Sequence, residues 1–272
     1  MRRVYLGRHV LGAAAIAFGT IAFVSRDFNI WQQIQPLGNV PYHHALLYVA
    51  AAIETLGGIA IQWRRSARIG ALLLGAIYLA FAVLWVPLIA AKPSVYDRWG
   101  NFFEQFSLVA GALIVYASFR AADAQSEKLA KAGYIFFAIS VVSFTLEQMF
   151  YLHGTAEFVP KWIPPGQMFW AITTTIAFAL AAVALFSGRS ALLASRLLTA
   201  MIVGFGLLVW LPAPFSDPHD LTNWAGNAEN LAIAGAAWIV ADFLNEKRAA
   251  STLDEAKAPT PADFAGGSTH LG

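Results

Sequence analysis

Hydrophobic and polar positions fall along this chain in long blocks rather than short alternations. Apolar runs lie near residues 9–25, 43–62, 69–91, 102–119, 132–152, 167–186, 192–212 and 228–244. Each is long enough for a membrane helix, and the breaks between them carry Pro, Gly or charge. The block pattern therefore predicts an all-α membrane protein with eight transmembrane helices. The first run follows "MRR", as a signal peptide would. It ends in "FVSRDF", a poor small-residue cleavage site, so it reads as an uncleaved first span.

Composition agrees with the blocks. Of 272 residues, 58% are hydrophobic and 12% charged, against about 25% charged in ordinary soluble domains. The net charge of +2 is small and forms no basic stripe, so nothing points to nucleic acid. The absence of cysteine excludes disulfides, thiol redox chemistry and thiolate-held clusters or metals. Charge does decide orientation. With eight spans, only Arg26, Lys92, Arg98 and Lys161 fall on one side, leaving the other fourteen Lys and Arg opposite them. Both termini are then cytoplasmic, in a bacterial inner membrane. Residues 246–272, rich in Ala, Pro, Gly and Thr, read as a disordered cytoplasmic tail.

An internal repeat refines this picture. Trp85-x-Pro87, Pro93, Trp99 and Glu104 recur as Trp210-x-Pro212, Pro218, Trp224 and Glu229, every one displaced by 125 residues. Arg64 and Arg189 keep the same offset, and Pro36 and Pro41 correspond to Pro160 and Pro164 or Pro165 with a small slip. The chain thus divides into four-helix units at 1–125 and 126–245. An even number of spans per unit makes the repeats parallel, about an axis along the membrane normal. Their outer loops are the longer ones and are rich in Trp and Pro, so the outer side is favoured for binding.

The intramembrane acids are the candidate chemistry, because ionisable groups at such depth normally face a partner, a cavity or a protein interior. Glu54 lies about 12 residues, or roughly 18 Å, from the outer end of its span. Ala50, Gly57 and Gly58 beside it would let a neighbouring helix approach. Glu104 follows the interfacial Trp99 and reads as a carboxylate near the headgroups, with Asn101 loosely in capping-box position. Glu229 is its repeat copy, with Gly226 replacing Asn101. Glu147 and Gln148 lie near the outer end of the fifth span. His43, His44 and His153 show no diagnostic metal spacing, and the sequence points to no metal.

"ETLGGIAI" (Glu54, Gly57, Gly58), a basic turn and "WGNFFEQFSLVAGALIVYA" together resemble the DoxX-like membrane proteins, as does "FVPKWIPPGQMFW" at 158–170. The resemblance covers residues 5–244. It implies small four-helix integral units, some associated with quinone-linked oxidoreductase systems. On that expectation the chain is a membrane subunit, with no self-sufficient catalytic set. It would bind a small lipid-soluble ligand such as quinone in its outer half, beside an oxidoreductase partner. Glu54, Glu104, Glu147, Glu229, Trp99 and Gln148 are the ligand-binding candidates. Two departures stand out: Ala179 occupies the position matching Glu54, and Met149 follows Gln148 where the DoxX-like branch that residues 158–170 resemble would carry His. The alternatives are a non-enzymatic membrane assembly or stability factor, and a small-solute transporter.

Overall fold

The computed structural model describes residues 5–27, 41–121 and 123–257. The loop carrying Pro36, the basic residues Arg2 and Arg3, and the last part of the tail lie outside them. Among the described residues the protein is all helical, with no strand. The helices are α1 (Gly7–Ser25), α2 (His43–Ala60), α3 (Ala67–Ala91), α4 (Tyr96–Ser118), α5 (Ala124–Phe150), α6 (Leu152–Phe158), α7 (Gln167–Ser187), α8 (Ala191–Phe205), α9 (Ala213–Ser216) and α10 (Leu221–Lys257). Each apolar run of the sequence is largely helical, although the run at 192–212 leaves α8 for a π turn and that at 132–152 passes from α5 into α6. Five segments are long and apolar enough to cross a membrane: α1, α3, α5, α7 and Ala191–Ser216.

Local chemistry accounts for most of the boundaries. The Asp123 side chain accepts the Ser126 N–H at 2.7 Å and starts α5. Gly188, at φ +72°, closes α7 in the left-handed conformation that glycine adopts freely. α3 continues through Pro87 to Ala91. Its repeat counterpart does not, because α8 loosens into a π turn over Gly206–Trp210 before Pro212.

Several helices extend beyond the apolar runs that mark them. α4 begins at Tyr96, ahead of the expected 102, and α5 at Ala124 rather than 132. α10 continues to Lys257, into the segment expected to be a tail. Polar contacts support these flanks where hydropathy gives no sign of them. Glu246 accepts the Tyr5 hydroxyl at 2.6 Å, and Lys247 lies 3.8 Å from Glu127.

The helices pack sequentially within each half, α1–α2–α3–α4 and α5–α7–α8–α10. The halves then join through α4 against α5, α1 against α10, and α4 against α10. α4 and α10 are therefore the inner helices. This explains why they can be the most polar long helices, while α3 and α7 turn Leu72, Leu79, Val83, Ile172, Ile176 and Leu180 outward. The bundle is apolar on its outer faces and mostly apolar inside, with a few buried polar groups such as Glu54, Asn101 and Gln105 set into that core.

Some packing contacts fall at positions related by about this displacement, Gly7 and Gly133 being 126 residues apart. A Cβ on Gly7 would lie 2.8 Å from the Gly235 carbonyl oxygen and against the Ile239 backbone. A Cβ on Gly133 would lie 2.8 Å from the Ala110 carbonyl oxygen and 3.3 Å from the Ile114 nitrogen. Residues 235 and 239 are 110 and 114 shifted by 125. Between the inner helices, a Cβ on Gly111 would sit 3.1 Å from the Ala236 Cβ, its own counterpart. Contact between equivalent positions is what an approximate two-fold axis produces.

Candidate functional site

The loops leading into α4, α7 and α10 are held by one recurring bond. The Trp99 indole N–H donates to the Pro93 carbonyl at 3.1 Å, and Trp224 donates to Pro218 at 3.0 Å. Trp170 makes the same bond to Pro164 at 3.0 Å. Each tryptophan sits in the first turn of its helix and ties it to the loop six residues back. Trp99 thus fixes a loop, and its indole N–H is spent on that loop. The third instance was legible as Pro-x5-Trp but escapes a search at the repeat offset.

From these anchors α4 descends to Glu104. The helix starts at Tyr96, so Glu104 is its ninth residue, about 12 Å from the helix end. It is no first-turn carboxylate, and Asn101 is no cap: its side-chain amide donates to the Asp97 carbonyl one turn back. Across the interface, Glu229 of α10 accepts a hydrogen bond from the Gln105 amide at 2.7 Å. Glu104 and Glu229 lie within electrostatic range of each other, and Glu147 of α5 acts on Glu104 as well. Glu147 seats its carboxylate directly against the backbone of Gly100, where a side chain would collide with it. The exposed Asp97, also within electrostatic range of Glu147, continues the acidic string outward.

Deeper in the bundle, Glu54 of α2 is fully buried. Gly57 and Gly58 bring α3 and α1 close beside it: a Cβ on Gly57 would meet Leu74 at 2.8 Å, and one on Gly58 would meet Ile16. The link to the acids above is Tyr78 of α3, 1% exposed, which lies within electrostatic range of both Glu54 and Glu229. Tyr78 and Gln105 are the residues that sequence reasoning missed. Gln105 adjoins Glu104, and Tyr78 lies seven residues, two helical turns, before Trp85 on the same buried face. Both signals were present but weak.

The structure therefore brings Glu104, Glu147 and Glu229 together with Gln105, and connects Glu54 to them through Tyr78. It leaves two candidates outside. Trp99 is committed to the loop, and Gln148 accepts hydrogen bonds from Thr175 at 3.0 Å and Thr174 at 3.4 Å, joining α5 to α7. Among the described residues no three acids or histidines converge closely enough to hold a metal ion.

The cluster has unused hydrogen-bonding capacity of both kinds. The Tyr78 hydroxyl and the Gln105 Oε1 are buried and make no hydrogen bond among the described residues, and two turns along α3 the buried Trp85 indole N–H makes none either. Leaving such groups unpaired costs about 1–3 kcal/mol each, so the arrangement calls for something that both donates and accepts.

No protein-family model, no curated protein and no solved structure matches this chain.

Proposed function

We propose that the protein spans the membrane eight times as two parallel four-helix units of DoxX-like type, with both termini cytoplasmic. It binds a small lipid-soluble molecule of the quinone class in its outer half, as the membrane subunit of an oxidoreductase system. One observation carries the reading: where α4 meets α10, Glu229 is bonded to Gln105 and lies within electrostatic range of Tyr78, and both of these neighbours keep a buried, unpaired polar atom. A quinone accepts hydrogen bonds at its carbonyl oxygens and, once reduced, donates from its hydroxyls. The Tyr78 hydroxyl supplies a donor for the first form, and Gln105 Oε1 and the glutamates supply acceptors for the second. The bound molecule would supply the two-electron chemistry that no side chain here provides, with a partner delivering or removing the electrons. This chain's part is to hold the ring, exclude water and present carboxyl groups within proton reach.

The outward faces of α3 and α7 support membrane residence, and the contacts repeated at 125 residues support the two-unit division. The test is purification from native membranes followed by solvent extraction and spectroscopy of the extract. Co-purifying quinone that is lost in Tyr78→Phe/Gln105→Leu protein is the expected result. Folded protein that never carries or binds quinone would leave the acids as helix-holding groups. The Gln105–Glu229 bond between halves would then favour a membrane assembly or stability factor.

A further inference from the structure

The opposite end of the bundle holds a second polar site, built entirely in the first half. Arg8, in the first turn of α1, is 7% exposed, yet its Nε and Nη1 have no hydrogen-bond partner. Its guanidinium lies 4.9 Å over the Phe119 ring near the end of α4. A ring face satisfies charge in part but accepts nothing in the guanidinium plane, where the N–H groups point. Another cation, Arg64 in the turn between α2 and α3, lies within electrostatic range of Arg8.

Two further arginines flank the place: Arg68 and Arg120 lie 5.6 Å and 5.7 Å from the Tyr116 ring, one turn before Phe119. Carboxylates at this end are occupied elsewhere. Asp242 accepts the Gly7 N–H at 3.0 Å, Glu246 accepts the Tyr5 hydroxyl, and Asp123 caps α5 with only a 4.0 Å approach to Arg120. Among the described residues no ion pair reaches Arg8.

Topology alone does not account for this. A positive end needs charge, which exposed arginines supply, and it gains nothing from burying a guanidinium without a partner. Nor is the cluster a consequence of the repeat. At the 125-residue offset Arg68 becomes Leu193, Tyr116 becomes Ala241, Phe119 becomes Leu244 and Arg120 becomes Asn245; only Arg64 keeps its charge, as Arg189. Near the position matching Arg8 stands Tyr134, whose hydroxyl donates to the Leu185 carbonyl. The second half packs this place with a tyrosine, whereas the first sets Arg64, Arg68 and Arg120 near the Arg8 fork.

We propose that Arg8, Arg64, Arg68 and Arg120 form a site for a phosphate-bearing anion, with the planar fork of Arg8 as its inner wall. Such a group reaches this end of a membrane bundle as the headgroup of an anionic phospholipid or as free phosphate. Both supply the in-plane acceptors that Arg8 lacks.

The experiment uses the full chain in detergent, with melting temperature and native mass spectrometry as readouts. Phosphatidylglycerol, phosphatidylcholine and inorganic phosphate are added separately. Retained phosphatidylglycerol and a raised melting temperature, without a response to phosphatidylcholine, are expected. Binding should weaken about tenfold or more in Arg8→Gln, as loss of a charge-assisted bond implies. Because Arg8→Gln could fail to fold, Arg68→Gln/Arg120→Gln at the more exposed positions is measured alongside and should also weaken retention, while Arg189→Gln should not. An equal response to inorganic phosphate alone, lost in the same variants, supports the site and makes free phosphate its ligand. Lipid retention unchanged by both sets of variants, or no anion response in folded wild-type protein, overturns the proposal.

Discussion

The two halves match in several packing contacts and in the acids Glu104 and Glu229, and differ at most of the other polar positions around them. Matching positions include the Pro–Trp loop bonds, the glycines of α1 and α5 that admit α10 and α4, and the Gly111–Ala236 contact. Differing positions include Glu54 against Ala179, Tyr78 against Val203 and Gln105 against Asn230. Even the acid contributed by α5 fits this division. Glu147 rests on Gly100, whereas the position matching Gly100 is Ala225 and those matching Glu147 in α1 are Ile21 and Ala22. Selection on helix packing would preserve the first set in both halves. A ligand site on one side of the axis requires the second set only once.

The comparison breaks first at the glycines. Gly7→Ala and Gly133→Ala should each destabilise by about 1–3 kcal/mol, because backbone atoms of the neighbouring helix cannot move aside. Gly100→Ala should cost far less, since the end of the Glu147 side chain can swing away. Thermal unfolding in detergent distinguishes the cases; equal losses at all three would deny that Gly100 accommodates a mobile acid.

Next come the amides of the interface. Gln105→Leu removes the partner of the Glu229 carboxylate and should cost about 1.5–3 kcal/mol if that group is charged. Asn230→Leu removes a bond to the Ile202 carbonyl at 3.1 Å and should cost about 1 kcal/mol. Chemical denaturation of both variants gives the ranking, and a reversed order would contradict the assignment of Gln105 to the site. Trp99→Phe and Trp224→Phe each lose one indole bond, about 0.5–1.5 kcal/mol. Their effects should agree with each other, as positions of a shared scaffold must.

The smallest effect lies at the α5 cap. The Ser126 backbone N–H holds the Asp123 carboxyl below its ordinary range. A depressed folded-state pKa stabilises above the unfolded value near 4, and the contribution fades as pH falls through the lower folded value. Asp123→Asn should lower the melting temperature slightly at neutral pH and flatten that acid dependence.

Much of this architecture was legible because hydropathy and spacing encode it directly. The apolar runs mark where the long helices lie, five segments of which are long and apolar enough to cross a membrane, and residues 110 and 114 make contacts like those of 235 and 239. Helix ends were harder to read, since α4 and α10 extend through polar stretches held by tertiary bonds such as Tyr5 to Glu246. The site was readable in part. Depth singles out Glu54, but no spacing rule says that Tyr78 lies between it and Glu229. Nor does one say that Gln148 would turn toward Thr175. Those facts depend on which helices adjoin, and α4 meeting α10 at the centre is a property of the assembled bundle.

The central claim is that ligand binding belongs to the first half's polar set around Glu229. Titration of purified protein with a short-chain ubiquinone analogue, followed by tryptophan fluorescence, tests it most directly. The account predicts saturable quenching that weakens about tenfold in Gln105→Leu, the loss expected for one hydrogen bond, and stays unchanged in Asn230→Leu. Quenching without saturation, or equal weakening in both variants, would contradict it.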